Sequence, residues 1–364
     1  MQEKPSIYQQ TLDELYVFFA NNGAKKSCAE HVWHGLYKEH TEDLNNINGL
    51  EEECKELIIN HFTFRSMQQV LRQEAKDGTV KFLFRLADGH IIETVLMRQH
   101  FGTSVCVTTQ VGCNIGCSFC ASGLLRKVRD LTAGEIVEQI IQVQQFLNGK
   151  AQRERITHVV VMGIGEPFDN YENVVRFIKI ITHPKGLAIA PRRITVSTSG
   201  IVPKIYRFAD LKPRVNLAIS LHAPNNELRT RLMKINRAYP IEKLMAAVDH
   251  YLKQTRRRVT FEYIMIKDIN DQPEHAHELA MLLKDKKEMV YVNLIPYNPV
   301  DEHFHYQRSA KETILNFYDI LKKHDIHVVI RQELGSDIDA ACGQLRSKHM
   351  NTVRRKTINH SQNM

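Results

Sequence analysis

The sequence predicts an α/β protein whose main part is a partial (β/α)6 barrel. Two features of the chain support this fold class. The 364 residues are 43% apolar, which is enough to bury a core of domain size. From about residue 102, six short apolar segments alternate with amphipathic helical segments, a pattern typical of parallel strands joined by helices. These six segments are Val105–Thr109, Ile156–Met162, Ile194–Thr198, Val215–Leu221, Val259–Ile266 and Val290–Ile295, and Val328–Gln332 predicts an extra strand.

The region before the barrel predicts two smaller units. Apolar residues at three- and four-residue spacing, beginning with Leu12 and Leu15, predict helices through residues 8–61. Two β-rich segments flank Asp88-Gly89, which is the composition of a β-hairpin. The predicted organisation is a helical domain over 1–75, a hairpin extension over 76–101, a barrel core over 102–345 and a basic tail over 346–364.

Polar residues mark two helix starts inside the barrel. Thr132 and Glu135 have the spacing of a capping box, which predicts that the next helix begins there. Asn170 is a candidate N-cap for the helix that runs through Ile181. Both starts agree with the alternation of strands and helices.

Chemically active residue types follow the predicted strands. In parallel α/β folds, ligands gather at the carboxyl ends of the strands, so we expect these residues to converge on one site. They are a cysteine cluster after the first strand, Gly163–Glu166 after the second, Ser197 at the third, His222 after the fourth and Asn298 after the sixth.

Composition and charge exclude some classes of protein. No segment approaches the ~18 consecutive apolar residues of a membrane span, and the first residues lack the apolar core of a signal peptide, so we expect a cytoplasmic protein without membrane contact. The net charge of +8 suits a polyanionic partner without requiring one. Arg192-Arg193, Arg256–Arg258 and the tail are candidates for phosphate contacts, and solvated surface charge is the alternative for each.

Three of the seven cysteines, Cys113, Cys117 and Cys120, lie within eight residues of one another. Three thiolates at this spacing favour an iron–sulfur cluster with one open iron position over zinc, because a structural zinc site needs a fourth ligand and no second pair is present. Unliganded core cysteines are the weakest alternative. Cys28 and Cys54 are expected to be reduced thiols without a function.

The CxxxCxxC motif after a first barrel strand resembles the radical S-adenosylmethionine superfamily. The resemblance implies a [4Fe–4S] cluster on these cysteines, whose open iron binds S-adenosylmethionine and whose electron cleaves it to a 5′-deoxyadenosyl radical. It also implies S-adenosylmethionine contacts from the strand ends. The expected contact residues are Gly165, Glu166, Ser197, Ser220, Leu221, His222 and Asn298.

Three further residues narrow the resemblance. Glu93, Cys106 and Cys342, with the cluster motif between the last two, are similar to the bacterial dual-specificity rRNA and tRNA adenine carbon-2 methyltransferases. This resemblance implies that the Cys342 thiolate takes a methyl group from one S-adenosylmethionine, and that a second one per turnover activates it for addition to the base. It further implies release through a transient disulfide between Cys106 and Cys342, with Glu93 as the proton acceptor.

The same resemblance sets the expected partners and the alternatives. We expect 23S rRNA and tRNA as substrates, a reductant protein such as flavodoxin, and a monomer. One alternative is a carbon-8 adenine methyltransferase that confers antibiotic resistance, which shares these cysteines. The other is a non-catalytic iron–sulfur RNA-binding protein, which would need neither Cys106 nor Cys342.

Overall fold

Three helices open the chain in this computed structural model, which describes residues 4–124, 126–150, 154–299, 305–335 and 337–338. They are α1 (Leu12–Asn21), α2 (Lys26–His34) and α3 (Glu52–His61). The side chain of Thr11 accepts from the Glu14 backbone and closes a capping box at the start of α1. The apolar faces of the helices pack into the main core of the protein.

A disulfide joins Cys28 on α2 to Cys54 on α3, so the prediction that both are reduced thiols was wrong. Their Cα atoms are 6.1 Å apart, and both residues are buried. The 26-residue separation in sequence does not reveal the pairing, because it depends on how the two helices pack against each other.

An antiparallel extension follows the helices. It consists of β1 (Met67–Glu74), β2 (Val80–Leu86) and β3 (Ile91–Gln99). β2 and β3 pair on either side of the Asp88-Gly89 turn. β1 pairs with β2 and lies after the predicted helices of 8–61, although it falls inside the 1–75 range assigned to the helical domain.

The barrel core continues the same sheet with parallel strands. The remaining strands are β4 (Gly102–Cys106), the short pair β5 (Gln110–Val111) and β6 (Arg129–Asp130), then β7 (Ile156–Val161), β8 (Ile194–Thr198), β9 (Asn216–Ser220), β10 (Val259–Met265), β11 (Val290–Pro296) and β12 (His327–Ile330). The helices are α4 (Ala133–Asn148), α5 (Tyr171–Ile181), α6 (Val202–Asp210), α7 (Asn226–Leu232), α8 (Ile241–Thr255), α9 (Pro273–Leu283) and α10 (Lys311–Lys323).

The sheet order is β1-β2-β3-β4-β7-β8-β9-β10-β11-β12, and every pair from β4 onward is parallel. This confirms the predicted fold class. The main core lies between the sheet and its helices, where alternate strand residues such as Val159 and Leu217 are fully buried. All parallel strands therefore end at one edge, which we call the carboxyl edge, and begin at the opposite amino edge.

The two predicted helix starts differ in outcome. Thr132 and Glu135 form the predicted capping box at the start of α4. Asn170 precedes α5, but its side chain does not cap the helix. Its Nδ2 donates instead to the carbonyls of Thr109 and Leu131, at 2.9 and 2.7 Å, and so ties α5 to the loop after β4.

Within the described ranges, the helices fall short of the length or the apolar character that crossing a bilayer requires.

Candidate active site

A cavity of about 260 Å³ opens at the carboxyl edge of the parallel strands. Its wall combines the cysteine loop after β4 with the ends of β7, β8, β9 and β10. The predicted residues that line it are Cys113, Cys117, Cys120, Gly165, Glu166, Ser197, Ser220 and His222. The structure therefore brings together the cysteine cluster and most of the predicted binding residues.

The cysteine loop is held in a tight conformation by backbone contacts. Gly116 has a φ of 69°, in the left-handed region that glycine adopts without strain. The Ser118 amide donates to the Leu232 carbonyl at 2.9 Å, and the backbone of Cys117 forms an isolated antiparallel β-bridge with that of Met233. These contacts fix the loop to the end of α7 and direct the cysteines toward one cavity.

Burial controls the protonation of the thiols. It raises the pKa of Cys113 to about 12 and holds the pKa of Cys117 well above its ordinary value. Thiols in such a place become thiolates when a metal replaces their protons. No group of three or more ligands in the described ranges converges closely enough to hold a single metal ion. The three cysteines of the cavity fit a [4Fe–4S] cluster better, because each thiolate then binds a different iron.

Glu166 joins two loops of the cavity. Its Oε1 accepts from the Phe168 amide at 2.9 Å and its Oε2 from the Ser199 amide at 2.7 Å. Burial raises the pKa of this carboxyl, although the amide donors oppose that shift. The preceding Gly165 has a φ of 108°, and a Cβ there would lie 2.6 Å from the Gln110 side chain. Only glycine therefore fits at this point of the turn.

The neighbouring strand ends supply neutral polar groups. The hydroxyls of Ser197 and Ser220 are 3.5 Å apart. His222 is buried, and burial lowers its pKa to about 3, so its ring is neutral at physiological pH. Its Nδ1 accepts from the Ile264 amide at 3.1 Å, which places the ring proton on Nε2. This edge of the cavity thus offers hydroxyls and an imidazole N–H to a ligand.

Two cavity residues were missed in the sequence. Glu262 on β10 is 4% exposed and lines the cavity, and Arg331 lines the same cavity. The Asn293 side chain donates to Glu262 Oε1 at 2.9 Å, whereas Oε2 has no hydrogen-bond partner in the described part of the chain. Burial raises the pKa of Glu262. An acidic residue inside the apolar segment 259–266 was the signal that could have identified it.

Arg229 is a third residue that the sequence did not reveal. This guanidinium is fully buried and donates to the carbonyls of Ser199 and Leu221, at 2.6 and 3.2 Å, and to Asn236 Oδ1 at 2.9 Å. Burial lowers its pKa to about 10, and Cys117 is the charged neighbour that opposes this shift. Arg229 therefore braces the loops after β8 and β9 and places a positive charge near the thiolates.

Some predicted residues do not line the cavity. Leu221 is fully buried, and its amide donates to the Glu262 carbonyl at 3.1 Å. Asn298 is exposed beyond the end of β11. Arg192-Arg193 and Arg256–Arg258 precede β8 and β10, at the amino edge. Cys342 and the tail lie outside the described residues.

Glu93 and Cys106 lie beside the cavity on the antiparallel part of the sheet. Val95 on β3 pairs with Cys106 on β4, so Glu93, two residues before Val95, is on the same face as Cys106. Cys106 is buried with Val160, Met162 and Leu334, and Met162 also lines the cavity. The two predicted catalytic residues therefore share one face that continues into the cavity.

Glu93 forms a buried ion pair that the sequence did not predict. Its Oε2 is 3.0 Å from the Lys81 Nζ, and the two side chains are 4% and 0% exposed. Glu93 is therefore not a solvent-facing residue of its strand. The ammonium compensates the carboxylate charge within the sheet.

Comparison with known proteins identifies the class first. The Radical SAM superfamily matches residues 107–280, the segment that holds the cysteine loop and the strands around the cavity. The crystal structure of a radical SAM methyltransferase from Sphaerobacter thermophilus superposes with a TM-score of 0.88 at 41% identity, covering 93% of this chain and 98% of that one. The protein is a radical SAM enzyme, and members of this superfamily use S-adenosylmethionine and a [4Fe–4S] cluster.

Curated relatives identify the family. The "Probable dual-specificity RNA methyltransferase RlmN" of Enterococcus faecalis is 60% identical over 348 residues, which are 96% of this chain and 98% of the relative. The proteins of that name from Exiguobacterium sibiricum and Streptococcus thermophilus are 58% and 56% identical, over 95% and 98% of this chain and 97% and 91% of theirs. This chain belongs to the RlmN family of dual-specificity RNA methyltransferases.

Proposed function

We propose that this enzyme methylates carbon 2 of adenine, at adenosine 2503 of 23S rRNA and adenosine 37 of tRNAs. One observation carries the proposal beyond family membership. The face that holds Glu93 and Cys106 continues through Met162 into the cavity lined by the three cysteines. A base seated between these two places would contact both sets of residues.

The cavity fits the superfamily's cofactors. Cys113, Cys117 and Cys120 would hold the cluster, and Glu166 with Ser197, Ser220 and His222 would hold S-adenosylmethionine. When bound, two molecules of S-adenosylmethionine per turnover supply a methyl group and a radical that abstracts hydrogen. The Glu262 Oε2 and the Ser122 Oγ are buried at this cavity without a protein hydrogen-bond partner in the described residues, as expected for a polar ligand site.

The end of the described chain supports Cys342 as the methyl carrier. Leu334 packs on Cys106, the Gly335 amide donates to Asp77 Oδ2 at 2.7 Å, and Asp337 Oδ2 accepts from the Lys76 amide at 3.1 Å. Three residues separate Ile338 from Cys342, and the four Cα–Cα steps between them span at most about 14 Å. We infer that Cys342 reaches Cys106 and the base.

Glu93 and Cys106 would complete the reaction. After the radical adduct between the Cys342 methylene and carbon 2 has returned one electron to the cluster, Glu93 would take the proton of carbon 2. The Cys106 thiolate then attacks the Cys342 sulfur, so that an S–S bond forms while the S–C bond breaks. The electron pair of the broken bond stays on the carbon, which takes up a proton and becomes the methyl group. A thiol reductant restores the two cysteines, and Lys81 holds the Glu93 carboxylate in place.

The remaining parts of the proposal concern the setting of the reaction. We assign a reductant protein such as flavodoxin as the electron donor, and a monomer as the working form. We place the reaction in the cytoplasm, because rRNA and tRNA are made and used there.

Mass spectrometry of RNA nucleosides after anaerobic incubation tests this proposal. The cluster-loaded enzyme should form 2-methyladenosine, Cys342→Ala should form none, and Cys106→Ala should accumulate a covalent protein–RNA adduct. Cys54→Ala is a matched control that should retain methylation. Formation of 8-methyladenosine would favour the carbon-8 alternative, and absence of 5′-deoxyadenosine from the loaded enzyme would favour a non-catalytic RNA-binding protein.

A further inference from the structure

The amino edge of the parallel strands carries a concentration of arginines. Four adjacent strands, β7 to β10, are each preceded by at least one arginine. The exposed ones define what we call the arginine face: Arg155, Arg192, Arg193, Arg214, Arg256 and Arg258. This edge lies at the opposite end of the strands from the edge where the cavity opens. On β10, Arg258 precedes the cavity residues Glu262 and Ile264 by four and six residues, or about 13 and 20 Å along an extended strand.

The arginine face has few compensating acids. The four segments that lead into these strands (154–155, 189–193, 211–215 and 253–258) contain one acid, Glu154, which pairs with Arg98 at 2.9 Å. Asp210, at the end of α6, pairs with His250 at 3.0 Å. Among the residues described by the structure, Arg192, Arg193, Arg214 and Arg256 form no ion pair. An ordinary protein surface interleaves both signs of charge, and this strip does not.

The positive charge continues into a second cavity at the β7 end of the face. This cavity of about 180 Å³ is lined by Lys38, His40 and Arg155, at the junction between α2 and the sheet. Burial, followed by the charges of Arg155 and Lys38, lowers the pKa of His40 to about 4. Burial and Arg193 likewise lower the pKa of His158 on β7. The charges of Lys38, Arg155 and Arg193 thus act on these two histidines in the same direction as burial does.

We propose that the arginine face binds backbone phosphates of the substrate RNA at a distance from the target adenine. One guanidinium group can donate two parallel hydrogen bonds to the oxygens of one phosphate. Arginines at the starts of four strands that lie about 4.8 Å apart form a row that can contact the phosphates along an RNA backbone. The target base must enter the cavity at the carboxyl edge. The phosphates at the arginine face therefore belong to RNA that passes around the molecule beside the helical region.

The inference rests on the proposed function, since it takes the substrate to be RNA. The RNA should then make two groups of contacts with the protein: contacts around the target base at the carboxyl edge, and salt-dependent phosphate contacts at the amino edge. Each phosphate contact that is lost should reduce the slope of log Kd against log salt concentration by roughly 0.7 to 0.9.

The test compares binding of full-length tRNA with binding of a small stem-loop that carries the target adenine. The arginine-face variant carries Arg192→Gln, Arg193→Gln, Arg256→Gln and Arg258→Gln. The charge-matched control carries Lys179→Gln, Lys243→Gln, Lys311→Gln and Lys322→Gln, which remove four exposed lysines from α5, α8 and α10. Kd is measured by fluorescence anisotropy over a salt series, and circular dichroism checks that both variants fold.

We expect the arginine-face variant to bind full-length tRNA at least tenfold more weakly than the control does, with a smaller salt slope, while both bind the stem-loop equally. Equal Kd values and salt slopes for full-length tRNA in the two variants, with a wild type that binds and methylates tRNA, would overturn this inference and leave the proposed function intact. Equal weakening toward both RNAs would also overturn it, because the contacts would then not be remote. A wild type that does not bind RNA would overturn the proposed function itself.

Discussion

The two edges of the same parallel sheet differ in how they treat polar groups. At the carboxyl edge, polar groups are buried and mutually bonded: Glu166 joins two loops, His222 is neutral, and Arg229 is fully enclosed. At the amino edge, arginines of the arginine face are exposed and lack acid partners among the described residues. The comparison teaches that polar side chains at the carboxyl ends of the strands are buried and held by hydrogen bonds, whereas charged side chains at the amino ends are exposed to solvent.

The largest expected effect concerns the carboxyl edge. Cys113→Ala should abolish binding of the iron–sulfur cluster, because only two cysteine ligands would remain in the cavity. Iron and sulfide content of anaerobically reconstituted protein measures the effect. Cys106→Ala is the matched control and should retain the iron, since Cys106 packs beside the cavity without lining it. Full iron content in Cys113→Ala would contradict the assignment of the ligands.

A second substitution tests the ion pair beside the cavity. Glu93→Gln should lower the free energy of unfolding by about 3–5 kcal/mol, because it leaves the Lys81 ammonium buried without its carboxylate. Urea denaturation measures the change. Glu93→Gln combined with Lys81→Met should recover most of the stability, since no buried charge then remains at this pair. If the double variant is as unstable as the single one, the instability does not come from an uncompensated Lys81 ammonium.

A smaller effect is expected at the carboxylate that the sequence did not reveal. Glu262→Gln should raise the Kd for S-adenosylhomocysteine about tenfold, because a neutral amide accepts a ligand hydrogen bond more weakly than a carboxylate does. Equilibrium dialysis measures it without turnover. Glu274→Gln makes the same change at an exposed site on α9 and should leave Kd unaltered. Unchanged Kd in Glu262→Gln would exclude a contact between Oε2 and this ligand.

The last prediction concerns the amino edge, where the effect on stability is confined to acidic pH. His40 has a pKa of about 4 in the folded protein against 6.5 for the ordinary side chain, so the folded state binds fewer protons than the unfolded state between these values. His40 should therefore stabilise the fold fully above pH 6.5, and this contribution should decrease as the pH falls toward 4, by at most about 1.4 kcal/mol per pH unit. His40→Asn, which tolerates the left-handed backbone at φ 54°, should flatten the stability profile in this range. Identical profiles would show that His40 titrates alike in both states.

Most parallel strands were predictable from sequence almost to the residue. The first is the exception, because the predicted segment Val105–Thr109 shares only two residues with β4, Gly102–Cys106. The predicted segment Ile156–Met162 corresponds to β7, Ile156–Val161, and Ile194–Thr198 to β8 without change. Strands buried on both faces appear as continuous apolar runs, so their bounds are visible locally. The cysteine loop was equally visible, because its three cysteines are close in sequence.

Contacts between distant segments were not predictable. An arginine on a short helix is usually a surface residue, and the burial of Arg229 depends on the loops after β8 and β9. Cys28 and Cys54 are paired only through the packing of α2 on α3. Asn170 has two possible uses, a helix cap or a bridge between loops, and tertiary neighbours decide between them. In each case the deciding partner lies far away in sequence.

Asp77 holds the last described residues of the chain. It lies in the turn between β1 and β2, and its carboxylate accepts from the Thr79 and Gly335 amides, at 2.9 and 2.7 Å, which helps to lower its pKa. In the proposed reaction, a single side chain in a peripheral hairpin would therefore help to set the effective concentration of the Cys342 thiol near Cys106. Substitutions at this turn would produce kinetic defects resembling those of the active site, without altering a residue that contacts either substrate.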